Sequence, residues 1–494
     1  MALVSLWQDR HPQRVVEQEP VEGHADVVVV GAGITGLTTA LLLGRAGRSV
    51  TVLEAEHVGY GTTGRSTAKV SLLQGTQLSQ IARKHSGDVV RDYVVANSEA
   101  QAWVARFCDD HGVGVQRRPA VTYANSERGR TAARRELTLA RRAGLDATWQ
   151  DELDLPFPTA GGVRLDDQLQ LDPMELLEAL AEQAVAHGVR IVEGSRVLQV
   201  RSDDRVTVET EHGTMTADRL VVATNMPILD RGGFFARAHP ARSYGIAFAS
   251  DTQPVDAMYL SADAPSRSLR DVPTEDGHLL LVGGAGHVTG RGAPESTRLD
   301  TLRRWTAEHY PGLRETHAWS AQDYVPAHAL PYVGPLVPHQ DRLYVAGGYS
   351  KWGMTNGVAA ALALAGEILG GHMEWARVMH TWSRHELSGA LDHLRFNGEV
   401  GFEMARGWLR PLRPAAGAPA EGTGRVRFDR PGVPTAEATL DGVTTQVSAV
   451  CTHLGGIVRF NDAERSWDCP LHGSRFDADG EVIEGPAVCG LRRH

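Results

Sequence analysis

The chain has 494 residues, which is more than one compact domain usually holds, so we expect two or three domains. Its formal net charge is −10, and 42% of its residues are apolar. This balance excludes nucleic acid and anionic membranes as expected partners, because both bind through clustered Lys and Arg side chains.

The predicted N-terminal arm, residues 1–24, is polar and lacks the apolar core of a signal peptide. No run of about 18 apolar residues occurs anywhere, so no membrane span is predicted. Four cysteines are too few for a disulfide framework, and we expect Cys108 and Cys489 to be free thiols. These features together predict a soluble cytoplasmic enzyme.

A dinucleotide-binding motif follows the arm. Asp26–Val30 predicts a short buried strand, and Gly31, Gly33 and Gly36 follow it in the pattern Gly-x-Gly-x-x-Gly before an apolar helix. A second strand ends at Glu54. The glycines would let a pyrophosphate approach the backbone at the helix N-terminus, and Glu54 would accept hydrogen bonds from ribose hydroxyls. The alternative, a tight turn without a ligand, is disfavoured by this order of elements.

The loop after Glu54, residues 59–69, is rich in glycine and hydroxyl side chains. Such a loop can wrap a diphosphate with N–H and O–H donors, although an ordinary surface turn has a similar composition. The candidate cofactor residues in this loop are Thr62, Thr63, Arg65, Thr67 and Ala68.

A second glycine-rich turn from strand to helix lies at residues 342–357 and contains Gly347, Gly348 and Gly353. Residues 410–424, rich in Pro, Gly and Ala, predict a linker after a helix over 386–408. Short alternating strands are expected from Arg425 onward.

Two mixed Cys/His pairs near the C-terminus are Cys451 with His453 and Cys469 with His472. Two thiolates and two imidazoles are the ligand set of a Rieske [2Fe–2S] centre. A structural zinc site also uses two Cys and two His, but it usually pairs Cys with Cys and His with His along the sequence.

Residues 31–69 and 346–357 and the two Cys/His pairs resemble the D-amino-acid-oxidase-like FAD-dependent oxidoreductases with a C-terminal Rieske domain. The resemblance implies two cofactors, FAD and a [2Fe–2S] cluster. It also implies an α/β FAD-binding (Rossmann-like) domain with an inserted α+β substrate domain that contains a mixed sheet, and a C-terminal all-β Rieske domain.

The same resemblance implies domain boundaries. The oxidoreductase would span 25–372, followed by a helix and linker at 373–424 and the Rieske domain at 425–494. Within the oxidoreductase, the FAD-binding parts would be 25–85, 165–230 and 330–372, and the substrate domain would be 86–164 and 231–329.

The resemblance adds further cofactor contacts. Val197 matches a strand on the adenine side, and Ala223 and Thr224 end a strand that lies near the cofactor in such flavoproteins. The helix beginning near Gly353, with Met354 and Thr355, would point its N-terminus at the pyrimidine end of the flavin.

The Rieske part departs from many relatives at three positions. Gly456 and Leu471 stand where a disulfide-bonded pair of cysteines often occurs, and Phe476 stands where high-potential members have Tyr. Because hydrogen bonds to the cluster sulfurs raise the potential, the missing hydroxyl favours a lower potential within the Rieske range.

The candidate catalytic residues are Arg242, Tyr244 and Lys351. Arg242 could clamp a substrate carboxylate with Tyr244 as a second donor, and Lys351 lies inside the second glycine-rich turn. Each also has a structural interpretation: a surface Arg, a packed Tyr and a loop-shaping Lys. His328 stands where relatives often have Asp, which favours a structural role for it.

Three functions remain open from the sequence. The first is oxidation of a small amine or amino acid by hydride transfer to flavin, with electrons passing through the cluster to an unidentified acceptor. The second is an electron-transfer protein that serves a partner without an amine substrate. The third is a redox-inert assembly in which the Rieske fold is structural.

Overall fold

The computed structural model of the chain describes residues 3–12, 19–409, 417–430 and 433–493. Parts of the predicted arm (1–2 and 13–18) and of the predicted linker (410–416) lie outside the described residues. The α-helices of the described parts are α1 (Leu6–Arg10), α2 (Ile34–Arg45), α3 (Gln77–Ile81), α4 (Gly87–His111), α5 (Glu127–Arg142), α6 (Pro173–Ala186), α7 (Glu295–His309), α8 (Gly353–Ile368) and α9 (Ala390–Trp408).

Short 3-10 helices lie at Thr63–Arg65, Arg231–Ala236, Glu374–Val378 and Arg384–Gly389. The strands are β1 (His24–Val30), β2 (Val50–Leu53), β3 (Lys69–Val70), β4 (Val115–Tyr123), β5 (Thr148–Gln150), β6 (Gly162–Leu171), β7 (Arg190–Val192), β8 (Val197–Ser202), β9 (Val206–Thr210), β10 (Gly213–Val222), β11 (Ala238–Ser250), β12 (Met258–Ser261), β13 (Arg267–Thr274), β14 (Gly277–Val288), β15 (Arg314–Pro326), β16 (Tyr332–Pro335), β17 (Leu343–Gly347), β18 (Thr423–Arg430), β19 (Val433–Leu440), β20 (Val443–Ser448), β21 (Arg459–Asn461), β22 (Ser466–Asp468), β23 (Arg475–Phe476) and β24 (Val482–Glu484). None of the helices in these described ranges is both long and apolar enough to cross a membrane.

The first sheet is largely parallel and has β1 near its centre. Its order is β16-β17-β10-β1-β2-β7, and the β8–β9 hairpin extends it from β10. Successive valines of β1 enter two different cores: Val27 and Val29 pack with α2 and α8, while Val28 and Val30 pack toward β8 and β9. A strand buried on both faces explains the uninterrupted apolar run. The carboxyl ends of β1, β2 and β10 therefore meet at one edge of the sheet.

The second sheet is mixed, in the order β15-β11-β14-β13-β12-β4-β6-β3 with β5 paired to β6. Only β12 and β4 pair in parallel, and the other ladders are antiparallel. Most of its strands come from the segments predicted to form the substrate domain, 86–164 and 231–329, but β3 and most of β6 come from segments predicted to bind FAD. Lys69–Val70 pairs with β6, so the loop after Glu54 runs directly into the second sheet.

The C-terminal unit consists of small antiparallel sheets, β18-β19-β20 and β21-β22-β23-β24. Trp467 and Phe476 are fully buried in its core, together with Cys451 and Cys469. The helix expected over 386–408 is α9, which begins at Ala390 after a 3-10 helix. Its side chains Val400 and Met404 pack against the C-terminal core.

A buried ion pair fixes the C-terminal unit against the second sheet. Arg242, on β11, has no solvent exposure, and its guanidinium donates to both carboxylate oxygens of Glu464 at 2.8 and 3.1 Å. Gln322, on the neighbouring β15, donates to the carbonyl of Gly473 at 2.9 Å. A charge buried at a domain boundary is stable only while its partner stays in place, so the two units hold a defined relative position.

We expect Arg242→Met to lower the free energy of unfolding by about 3–5 kcal/mol, because it leaves Glu464 buried without its main partner. Urea denaturation followed by circular dichroism measures the change. Arg303→Met is the matched control, since Arg303 pairs with Glu315 at the surface, and it should cost less than about 1 kcal/mol. Equal losses in the two variants would contradict the anchoring role of Arg242.

Candidate cofactor cleft and cluster site

A cleft lies where the carboxyl ends of β1, β2 and β10 meet. Its empty volume, including the part open to solvent, is about 1370 Å³. Many predicted cofactor residues line it: Gly31, Gly33, Glu54, Thr62, Thr63, Val197, Ala223, Thr224, Gly353 and Met354. Residues from three separated stretches of sequence therefore form one elongated site.

The glycines of the Gly-x-Gly-x-x-Gly motif have different structural roles. A β-carbon on Gly36 would lie 1.9 Å from the carbonyl oxygen of Gly31, so Gly36 allows close packing of helix and strand rather than lining the cleft. At Gly33, at the start of α2, only Thr63 Oγ1 comes within 4 Å of such a carbon. The backbone there is open to a ligand, which is the space a pyrophosphate requires.

Glu54 lines the cleft directly after β2. Its carboxylate accepts hydrogen bonds from the backbone N–H groups of Ala32 at 2.7 Å and Glu56 at 3.0 Å. Burial raises the pKa of Glu54, and the two N–H donors oppose that rise. A carboxylate has about four acceptor positions, so this held group keeps capacity for ribose hydroxyls.

The loop over 59–69 enters the cleft only in part. Arg65 lines an adjacent cleft instead, next to the C-terminal unit. Thr67 and Ala68 lie outside the lining, and their carbonyls accept hydrogen bonds from the buried guanidinium of Arg270 at 2.7 and 3.1 Å. These positions support the loop, and the structure places none of the three in the cleft.

Gly347, Gly348 and Thr355 also lie outside the lining. A β-carbon on Gly347 would lie 2.3 Å from the carbonyl oxygen of Asn225, and one on Gly348 would lie 2.6 Å from Pro326. They allow the second turn to pack closely. Thr355 is buried and accepts a hydrogen bond from Gln74 at 3.0 Å.

Sequence reasoning missed the contacts that hold the 59–69 loop from outside. Trp7 of α1 donates its indole N–H to the carbonyl of Ser66 at 2.7 Å, and Ser5 donates to Gly64 at 2.7 Å. Gln8 donates to Tyr60 at 2.9 Å. The arm therefore secures the loop. No motif marks these residues. The signal that the sequence offered was a large apolar side chain, Trp7, within a polar arm.

The far end of the cleft is formed by Asp323, Tyr349 and Lys351. Asp323 accepts hydrogen bonds from the backbone N–H groups of Tyr324, at 2.7 Å, and Lys351. Burial raises the pKa of Asp323 to about 6. Partial desolvation lowers the pKa of Lys351, and the nearby carboxylate of Asp323 opposes this. Lys351 is thus the one predicted catalytic residue that lines the cleft.

Arg242 and Tyr244 do not line it, and the structure does not support a substrate clamp at either position. Ser243, between them, faces the cleft residue Lys351, because a β-carbon on Gly286 would lie 3.3 Å from Ser243 Oγ and 2.9 Å from Lys351 Nζ. Because side chains alternate along a strand, Arg242 and Tyr244 face the opposite way. Arg242 is occupied by Glu464, and Tyr244 stacks on His287 with ring centroids 5.8 Å apart.

The four predicted cluster ligands converge at the boundary with the first sheet's domain. Cys451 and Cys469 are buried and unpaired. The rings of His453 and His472 lie 5.1 Å apart. Among the described residues, His472 Nδ1 is buried without a hydrogen-bond partner, while His453 Nε2 donates to Asp230 at 2.7 Å. Two thiols and two imidazoles brought together in this way fit a [2Fe–2S] cluster.

Gly456 and Leu471, where relatives often have a disulfide, are adjacent in space. A β-carbon on Gly456 would lie 2.6 Å from Leu471 Cδ1 and 3.0 Å from Cys469 Sγ. Leu471 thus fills the place between the two cluster loops by packing. Phe476 is fully buried against Trp467 in the same core.

The C-terminal unit also borders the dinucleotide cleft, which the sequence did not predict. The lining includes residues of its last strand and the turn after it: Ile483, Glu484, Gly485, Ala487 and Val488. Both candidate sites therefore share one domain boundary.

Comparison with protein families agrees with this arrangement. The model of the family named DAO, FAD dependent oxidoreductase, matches residues 26–366. The chain belongs to this family. The model of the Rieske [2Fe-2S] domain matches residues 425–493, so this oxidoreductase has FAD and a [2Fe–2S] cluster as cofactors, and the zinc alternative is set aside.

Two relatives illustrate the architecture. A Bacillus subtilis protein described as a Rieske 2Fe-2S iron-sulfur protein, YhfW, is 32% identical over 489 residues, covering 96% of this chain and 94% of the relative. The gamma-glutamylputrescine oxidoreductase of Escherichia coli is 25% identical over 373 residues, covering 71% of this chain and 84% of the relative.

A solved structure shows the same fold. Glycine oxidase from Geobacillus kaustophilus superposes with a TM-score of 0.60 at 18% identity, covering 71% of this chain and 96% of that one. The shared part is the FAD-dependent oxidoreductase domain, and the Rieske domain is additional to it.

Asp230 belongs to the oxidoreductase domain and accepts a hydrogen bond from the cluster ligand His453. We expect Asp230→Asn to raise the midpoint potential of the cluster, because a carboxylate beside a ligating imidazole increases its basicity and favours the oxidised iron. Redox titration followed by electron paramagnetic resonance measures the potential. Asp218→Asn is the control, since Asp218 faces His24, which is not a ligand. An unchanged or lower potential in Asp230→Asn would contradict the role.

Proposed function

We propose that this FAD-dependent oxidoreductase oxidises a small amine or amino acid and passes the electrons through its Rieske cluster to a separate acceptor. FAD accepts a hydride and can release electrons singly, while the cluster carries one electron at a time. The names of the relatives support the substrate class, since gamma-glutamylputrescine and glycine both carry an amine.

One contact supports the electron path. Asp323 lines the far end of the FAD cleft, and the next residue, Tyr324, donates its hydroxyl to the carbonyl of the cluster ligand His472 at 3.3 Å. The same hydroxyl lies 3.3 Å from the carbonyl of Gly485. A single residue thus separates the wall of the cleft from the cluster loop.

The surroundings of the cluster ligands support the same direction of transfer. Phe235, from the oxidoreductase domain, lies edge-on to His453 and His472 with ring centroids 5.4 and 5.0 Å away. The imidazole side of the cluster site therefore faces the oxidoreductase domain rather than solvent. A dry, fixed contact of this kind favours transfer within one chain.

Within the proposal, Lys351 is the residue that orients the substrate. Its ammonium group reaches toward the second sheet, where a β-carbon on Gly286 would lie 2.9 Å from Lys351 Nζ. The glycine makes room for the ammonium, which within the proposal binds the substrate carboxylate. Asp323, on the same side of the cleft, balances the charge when no substrate is present.

The test is an anaerobic reaction with a panel of amines and amino acids, followed by stopped-flow absorbance. In the wild type, bleaching of the flavin should precede reduction of the cluster.

His472→Ala removes a cluster ligand, so the flavin should still bleach but turnover with an added one-electron acceptor should fall. His187→Ala is the control, because His187 is exposed and lies far from His472 in the sequence. Unchanged turnover in a cluster-free variant would contradict the electron path, and bleaching by NADH alone would favour an electron-transfer protein.

Lys351→Met should raise KM for substrates that bear a carboxylate by roughly tenfold or more, with a smaller effect on kcat, because a charge-assisted contact is worth about 1.5–3 kcal/mol. Lys351→Arg keeps the charge and should recover part of the affinity. Steady-state kinetics with an amino acid and the matching amine, which lacks the carboxylate, measures the difference. An equal change in KM for both substrates would contradict this role.

The cytoplasmic location expected from the sequence stays a prediction, as does the absence of a nucleic-acid partner. The proposal specifies the electron acceptor only by its chemistry, as a one-electron oxidant.

A further inference from the structure

The last strand of the Rieske domain and the turn after it, Val482–Val488, form what we call the covering segment. Five of its residues line the FAD cleft, although the segment belongs to a different domain from the Gly-x-Gly-x-x-Gly motif. The cleft therefore has one wall that the oxidoreductase domain does not supply.

The covering segment is attached at both ends of the cleft. Arg196, beside the adenine-side residue Val197, donates to the carbonyl of Val482 at 3.0 Å and pairs with Glu56 at 2.8 Å. Tyr324, beside Asp323 at the far end, reaches the carbonyl of Gly485 at 3.3 Å. The oxidoreductase domain thus contacts the segment at two points, Val482 and Gly485.

The same segment is held inside the Rieske fold. Val482 and Ala487 are buried in the Rieske core, and the backbone N–H of Ala487 donates to Ser474 Oγ at 3.0 Å. Ser474 lies two residues after the cluster ligand His472. The covering segment consequently cannot leave the cleft without disturbing the Rieske domain or its docking.

Charge on the segment is compatible with an anionic dinucleotide. Glu484 lies 3.8 Å from the guanidinium groups of both Arg242 and Arg475. These two cations offset its charge at the wall of the cleft. The neighbouring Ile483 is apolar and, because side chains alternate in a strand, points away from the Rieske core that Val482 enters.

We propose that the covering segment is part of the FAD-binding site, so that the docked Rieske domain retains FAD in the cleft. Tight sites bury most of their ligand's surface, and here a second domain completes that burial. Release of FAD then requires the segment to move, and the occupancy of FAD is linked to the docking of the Rieske domain.

The test measures FAD release from the full-length holoprotein after dilution into flavin-free buffer, followed by the fluorescence of free FAD. Ile483→Asp adds a carboxylate to the wall of the cleft, which should repel the anionic dinucleotide and speed release roughly tenfold. Ile483→Val keeps the apolar wall and should release FAD at the wild-type rate. Val443→Asp, an exposed position on β20 of the same domain, is the matched control for an added charge and should also leave the rate unchanged.

The visible circular dichroism of the cluster is recorded for each variant, so that loss of the Rieske fold is recognised. If Ile483→Asp loses the cluster, Tyr324→Phe decides the question, because it removes the hydroxyl that contacts the carbonyls of Gly485 and His472 and should still speed release several-fold. A wild-type release rate in the deciding variant, with the cluster intact, would overturn the proposal. FAD release involves neither substrate nor acceptor, so this outcome is independent of the proposed function.

Discussion

The buried pairing of Arg242 with Glu464 is the contact on which the arrangement of the two cofactor sites depends. It joins the second sheet to the Rieske domain through two charged side chains that are shielded from water. Close packing reinforces it: a β-carbon on Gly473, whose φ is +81°, would lie 2.6 Å from Pro240 on β11. Any larger residue there would push the cluster loop off the sheet. The position of the cluster ligands follows from this contact.

Docking in this way gives the oxidoreductase domain influence over the cluster. Asp230 and Phe235, both from the segment before β11, contact the ligating imidazoles directly. In return the Rieske domain supplies a wall of the FAD cleft. Each domain therefore completes the site of the other. A change at either site should affect the other through these direct contacts.

Part of the cofactor assignment was predictable because it depends on local geometry. The order of strand, glycines, helix and acid fixes where a dinucleotide binds, and Gly31, Gly33 and Glu54 line the cleft as expected. The assignment was less accurate in the 59–69 loop, where Thr62 and Thr63 line the cleft but Arg65, Thr67 and Ala68 do not. Composition identifies such a loop, whereas the direction of each side chain depends on neighbours such as Trp7 and Arg270, which lie far away in sequence.

By itself the sequence determined the two cofactors and the order of the domains, because short-range spacing of Gly, Cys and His specifies their chemistry. Only the tertiary structure decided which residues face the substrate side. Arg242 and Tyr244 looked suited to a substrate carboxylate, but strand alternation and the docked Rieske domain direct them away from the cleft. Ile483 and its neighbours carry no motif and still line the cleft. Contacts between distant segments depend on how folded surfaces fit together, and no local pattern encodes that fit.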